Sequence, residues 1–138
     1  MDLRQLTPTL SVAPQIEIED LDALRAAGFT TIIDNRPDEE VGDRLDSQSM
    51  RTAAEAAGLT FHYVPFQPGR LTEENVNAFA DILSQADGPT LAYCRSGTRS
   101  TTLWAMTQAG QMGTDQILST AADAGYDLSG IGPLLDNR

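Results

Sequence analysis

Apolar and polar positions along this chain alternate between two spacings, and the switching predicts strands and helices in turn. Residues 9–15, "TLSVAPQ", read as a short strand closed by proline. "EDLDALRAAGF" (19–29) predicts an amphipathic helix: Leu21 and Leu24 share a face, acids crowd the first turn and Gly28 stands at the C-terminal stop. "TTIID" (30–34) is β-branched and short, which predicts a buried strand. The polar "NRPDEEVGDRLDSQS" then reads as a loop leading into a helix at about 48–57, ended by Gly58. "TFHYVPF" (60–66) is the next strand, stopped by "QPGR". Thr72 caps a helix over about 73–86, where Val76, Phe79, Ala80 and Leu83 fall at i, i+3, i+4 and i+7. "GP" breaks it, and "TLAYC" (90–94) predicts another buried strand. A helix follows at about 98–109, and one or two more fill 114–123 and the C-terminus.

Helix, "AAG", strand occurs at 26–30 and again at 56–60, the punctuation of an alternating fold. Strands alternating with helices imply a mostly parallel central sheet, here of four to five strands, with helices on both faces. The expectation is a single three-layer α/β domain over 1–138, with no linker or low-complexity segment.

Composition narrows the function classes. No run of 18 apolar residues occurs, and the first ten residues lack the features of a signal peptide. One cysteine cannot form an internal disulfide, so a cytoplasmic location is expected. With 20 acidic against 9 basic residues the net charge is -11, which repels nucleic acid and anionic membranes. The expected partners therefore include neither. Against that background, Arg95 and Arg99, two of nine basic residues within five positions, reverse the sign locally.

Just before them, as the last residue of the strand "TLAYC", stands Cys94, at the carboxyl end of a buried strand, where α/β folds place their ligands. The loop "RSGT" holds Gly97, able to take the positive φ of a tight turn, and successive amides in such a turn converge on an anion. The following helix N-terminus adds unpaired donors and partial positive charge. Arg99 offers a planar fork to an oxyanion. These features also favour a thiolate, making Cys94 a candidate nucleophile, with Ser100 placed for a hydroxyl hydrogen bond to its sulfur. The simpler alternative is a small buried thiol beside a surface turn. The coincidence of glycine, arginine and helix start favours the nucleophile. Ser96 and Thr98 complete the cradle, and Arg95 turns toward solvent or the rim. Asn35 and Arg36, after the strand 30–34, should project to the same rim. His62 is the only histidine, so no zinc site of the usual kind can be assembled, and nothing implies a metal or organic cofactor. Trp104 and Met106 read as core.

"CRSGTRS" resembles the active-site loop of rhodanese-type sulfurtransferases, in which a cysteine carries a persulfide inside a ring of amides. The wider chain, from "TPTLSVAPQIEIEDLDALRAAGFTTIIDNRPDEE" through "FHYVPF", resembles dual-specificity, protein-tyrosine-phosphatase-like folds. Together these stretches are similar to the bacterial beta-lactamase hydrolase-like protein, phosphatase-like domain family. The resemblance implies a phosphatase-like fold and either phosphatase or sulfurtransferase chemistry. Three departures from the phosphatase pattern follow: four residues separate Cys94 from Arg99 where such enzymes have five; Tyr93 stands where a histidine is usual; and the loop "QPGRL" has Pro68 near the place of the general-acid aspartate.

Sulfur transfer from a persulfide needs no such acid, whereas an alkoxide leaving group gains about 10²–10⁴-fold from protonation. The first expectation is therefore a sulfurtransferase. Cys94 takes sulfur from a small anionic donor (thiosulfate, polysulfide or a small persulfide) and passes it to a thiol such as glutathione. The alternative is a phosphatase acting on a phosphate ester through a phosphocysteine. A further one is a non-catalytic oxyanion-binding or redox-sensing module.

Overall fold

The computed structural model describes all of residues 1–138. Five short strands form one sheet: β1 (Arg4–Thr7), β2 (Leu10–Ala13), β3 (Thr31–Asp34), β4 (Thr60–Tyr63) and β5 (Thr90–Tyr93), in the order β1-β2-β5-β3-β4. The pairs β2–β5, β5–β3 and β3–β4 are parallel, and β1 closes one edge antiparallel to β2. Because side chains alternate across a strand, Val12, Ile33 and Ala92 enter one core while Ile32, Phe61 and Leu91 enter the other.

Two apolar faces need two covering layers. Helices α1 (Leu21–Ala26) and α2 (Ser47–Ala56) seal one face with Leu21, Leu24, Met50 and Ala54. Helices α3 (Glu73–Gln85), α4 (Thr98–Gln108), α5 (Thr114–Asp123) and α6 (Gly132–Asp136) seal the other with Phe79, Trp104, Ile117 and Leu135. The expected α/β domain, three layers around a mostly parallel sheet, is the fold observed, and no helix is long and apolar enough to cross a membrane.

Local details depart from expectation in three places. Strand β1 was not anticipated: "RQLT" buries only Leu6, too little alternation to read as a strand without its β2 partner. The helix expected over 19–29 is a 3₁₀ turn at Ile18–Asp20 followed by the short α1. The strand expected over 60–66 ends at Tyr63; Pro65 has no N–H to extend a ladder. Thr72 caps α3 as expected, its hydroxyl accepting the Asn75 N–H at 3.2 Å.

Register sets up the site. Ala13, Tyr93, Asp34 and Tyr63 are paired across the sheet, so four strands finish in one row. The loops that follow them emerge along a single edge, and that edge carries the cysteine.

Candidate active site

Cys94 is the first residue after β5 and is fully buried. Its N–H donates to the Ala13 carbonyl at 3.4 Å, and its Sγ accepts the Gly97 N–H at 3.1 Å. Gly97 has φ +96°, where L side chains are strained, and a Cβ there would collide with the Tyr126 hydroxyl. That hydroxyl donates to the Ser96 carbonyl at 3.1 Å, so the segment after α5 clamps the loop from outside. From within, Thr101 Oγ1 donates to the Gly97 carbonyl at 2.7 Å. The N–H groups of Arg95, Ser96 and Arg99 have no acceptor within the protein. Unpaired amides at the start of an eleven-residue helix suit an anion.

Arg99 does not stand free. Its guanidinium grips Glu40 through two bonds, Nη1 to Oε2 at 2.9 Å and Nη2 to Oε1 at 2.8 Å, and Nη1 also donates to the Phe66 carbonyl at 3.1 Å. Arg36 holds Glu40 from the other side, with Nε to Oε1 at 3.3 Å and Nη2 to its carbonyl at 3.1 Å, and donates Nη1 to Gln15 at 3.1 Å. The hydrogen bonds from Arg99, then the charges of Arg99 and Arg36, outweigh burial and hold Glu40 below the usual carboxylate range. Arg99 in turn is raised, chiefly by Glu40 and secondarily by Cys94 nearby. A two-oxygen carboxylate thus already sits on the fork expected to meet an oxyanion.

Arg36, Arg95, Ser96, Thr98 and Arg99, with Glu40 and Pro68, line a pocket of about 480 Å³. Two candidates are placed differently from expectation. Asn35 is buried below the rim, its Nδ2 donating to the Val64 carbonyl at 2.9 Å. The Ser100 hydroxyl donates to Asn35 Oδ1 at 2.7 Å, so its only proton is not given to the sulfur. Both brace the junction of β3, β4 and α4. Glu40, Gln15 and Tyr126 were missed. Glu40 does stand four residues after Arg36, but nothing in "DEE" singles it out from its neighbours.

Pro68 does line the pocket at the place where an acid was sought. The adjoining hollow contributes one further carboxylate, Glu73, which is held low by its pairing with Arg138. Asp34 is 2% exposed and burial pushes its carboxyl up to about 7, with Tyr93 beside it, but it accepts the Arg36 N–H at 2.9 Å and does not line the pocket. His62 is remote, in a hollow with Thr31 and Thr60, and burial keeps its imidazole below its ordinary pKa.

Residues 2–111 match the model of the family described as beta-lactamase hydrolase-like protein, phosphatase-like domain. The chain belongs to that family. A solved structure from Neisseria meningitidis, described as a candidate phosphatase, is 35% identical with a TM-score of 0.88, covering 99% of this chain and 98% of the other. The beta-lactamase hydrolase-like protein of Agrobacterium fabrum is 32% identical over 126 residues, which are 90% of this chain and 29% of that protein. The chain therefore spans about three-tenths of the curated relatives it matches. P. aeruginosa TpbA in complex with phosphotyrosine shares the fold at 18% identity, with a TM-score of 0.66 over 99% of this chain and 91% of the other. The family membership and the phosphatase-like fold agree with the resemblance drawn from the sequence. As to chemistry, these comparisons support the phosphatase alternative more directly than sulfur transfer.

Proposed function

We propose that Cys94 is the nucleophile of a sulfur-transfer reaction on a small anionic donor. The observation that carries this reading is the pairing of the nearby carboxylates: Glu40, in the cradle, is gripped by Arg99 and Arg36, and Glu73, in the adjoining hollow, is paired with Arg138, so that both are held ionised. An acid so held is a poor proton donor to an alkoxide or phenoxide. Sulfite or a thiolate leaves without one.

In the first half-reaction the Cys94 thiolate attacks the outer sulfur of thiosulfate. An S–S bond forms, the donor S–S bond breaks, and its electron pair leaves with sulfite. The resulting Cys94 persulfide is held by the Gly97 N–H, in a loop where the amides of Arg95, Ser96 and Arg99 have no acceptor within the protein and so are available to its charge. In the second half-reaction an acceptor thiolate such as that of glutathione attacks the terminal sulfur, carries it away as a persulfide and restores the Cys94 thiolate.

The comparisons favour a second reading on the same nucleophile, hydrolysis of a phosphate monoester through a phosphocysteine. There Arg99 would release Glu40 and grip two phosphoryl oxygens. Intact-protein mass spectrometry after brief exposure to thiosulfate or polysulfide separates the two, run beside hydrolysis of an aryl phosphate. One added sulfur, absent in Cys94→Ser and discharged by glutathione, with negligible phosphate release, is the expected result. Cys94-dependent phosphate release with no added sulfur would replace the first reading by the second. Neither signal would sink both.

A further inference from the structure

Beside the polar cradle lies a second hollow of about 540 Å³ with an apolar wall of Phe66, Leu71, Val76, Met106, Ile131 and Leu134. Its size is that of a small-molecule site. Pro68, Thr98 and Arg99 line both hollows, so the two are continuous at the head of the anion site. Leu134, on α6, is 56% exposed, one of the few large apolar side chains left to water. The only charged groups on this groove are Arg99, shared with the cradle, and Glu73, already paired with Arg138.

We propose that the groove binds the apolar arm of the substrate whose anionic head enters the cradle, making the preferred donor an organic thiosulfonate and not thiosulfate itself. This rests on the sulfur-transfer reading for the head group; the groove itself stands on geometry alone. The cradle side is lined by polar and charged groups, Pro68 apart, and grips charge. On the groove side the six apolar side chains, beside the hydroxyls of Thr72, Thr98 and Thr102, reward burial of each methylene of an alkyl arm or each face of an aryl ring. The chemistry balances: the Cys94 thiolate attacks the terminal sulfur of R–SO₂–S⁻, the S–S bond to the sulfonyl group breaks, and the electron pair departs with the sulfinate R–SO₂⁻. The arm remains bound while sulfur moves, so discrimination appears in KM more than in kcat.

Binding and turnover test this separately. Calorimetric titration of the full chain with unreactive methane-, butane- and hexanesulfonate should show affinity rising about three- to fourfold per methylene. In Leu134→Ser, at an exposed position where folding is not at stake, the hexane-to-methane affinity ratio should shrink at least threefold. Persulfide formation on Cys94 should have a kcat/KM about tenfold higher with benzenethiosulfonate than with methanethiosulfonate. A flat sulfonate series overturns the groove, even if thiosulfate still loads sulfur onto Cys94. A sloped series with no persulfide from any donor overturns the thiosulfonate assignment and the sulfur-transfer reading, while the groove itself survives. A flat series together with a dimer that Leu134→Ser dissociates assigns the groove to a second copy of the chain and overturns the proposal.

Discussion

At the scale of single residues, the least comfortable group is Asp34. It is buried under the row of strand ends, accepts one N–H from Arg36 and stands beside the Tyr93 hydroxyl, which has no hydrogen bond of good geometry. Burial dominates, so its folded pKa of about 7 exceeds the ordinary 3.8. Between those values the folded chain holds a proton that the unfolded chain has released. Stability therefore falls as pH rises through that window, by ~4 kcal/mol in full. Asp34→Asn keeps an acceptor for the Arg36 N–H and removes the titration. Urea unfolding across pH 4–8 should show the wild type losing stability and the variant nearly flat, the variant being the more stable by pH 8. Equal slopes would mean that Asp34 is ionised throughout. Cys94 differs in kind: "CRSGTRS" marks it as the candidate nucleophile, because cysteine, glycine and arginine at those spacings coincide with a strand end and a helix start.

At the scale of elements, the site is a meeting of loops. The loop after β5 supplies the cradle and the loop after β3 supplies Glu40, which holds the Arg99 fork closed. An incoming oxyanion must compete with that carboxylate. Glu40→Gln weakens the competitor, so thiosulfate or sulfate binding to the variant should tighten severalfold, measured by titration calorimetry or as a fall in KM. Weaker binding in the variant would show instead that Glu40 chiefly orients Arg99. Elements that were legible had long periodic faces or explicit punctuation: α3 with its Thr72 cap, and β3 and β5 as short β-branched or apolar runs between breakers. What stayed hidden depended on a partner. Strand β1 exists through its pairing with β2, and Asn35 turned inward because Val64 and Ser100 satisfy its amide there. Side-chain direction is chosen by the nearest available hydrogen-bond partner, which local sequence does not specify.

At the scale of the molecule, the proposed anionic substrate has to approach a chain of net charge -11. Arg36, Arg95 and Arg99 supply a local positive mouth, but beyond it the field is repulsive, and at low salt it reaches about 30 Å. Raising ionic strength from about 10 to 150 mM should therefore increase kcat/KM for a thiosulfate-type anion about two- to fivefold. A decrease would mean that the arginine cluster governs approach even at long range.

By itself the sequence determined the class of fold, the place of the candidate nucleophile at a strand end and the sign of its surroundings. Each is encoded locally, in periodicity, in a seven-residue loop and in composition. The tertiary structure alone decided that Glu40 occupies the Arg99 fork, that the Ser100 proton goes to Asn35, and that an apolar groove from α3, α4 and the α6 region opens beside the cradle. Those are contacts between residues 59 and 65 positions apart, or a surface shared by separate elements. They come into being when the parallel strands align their ends in one row and bring distant loops to the same edge.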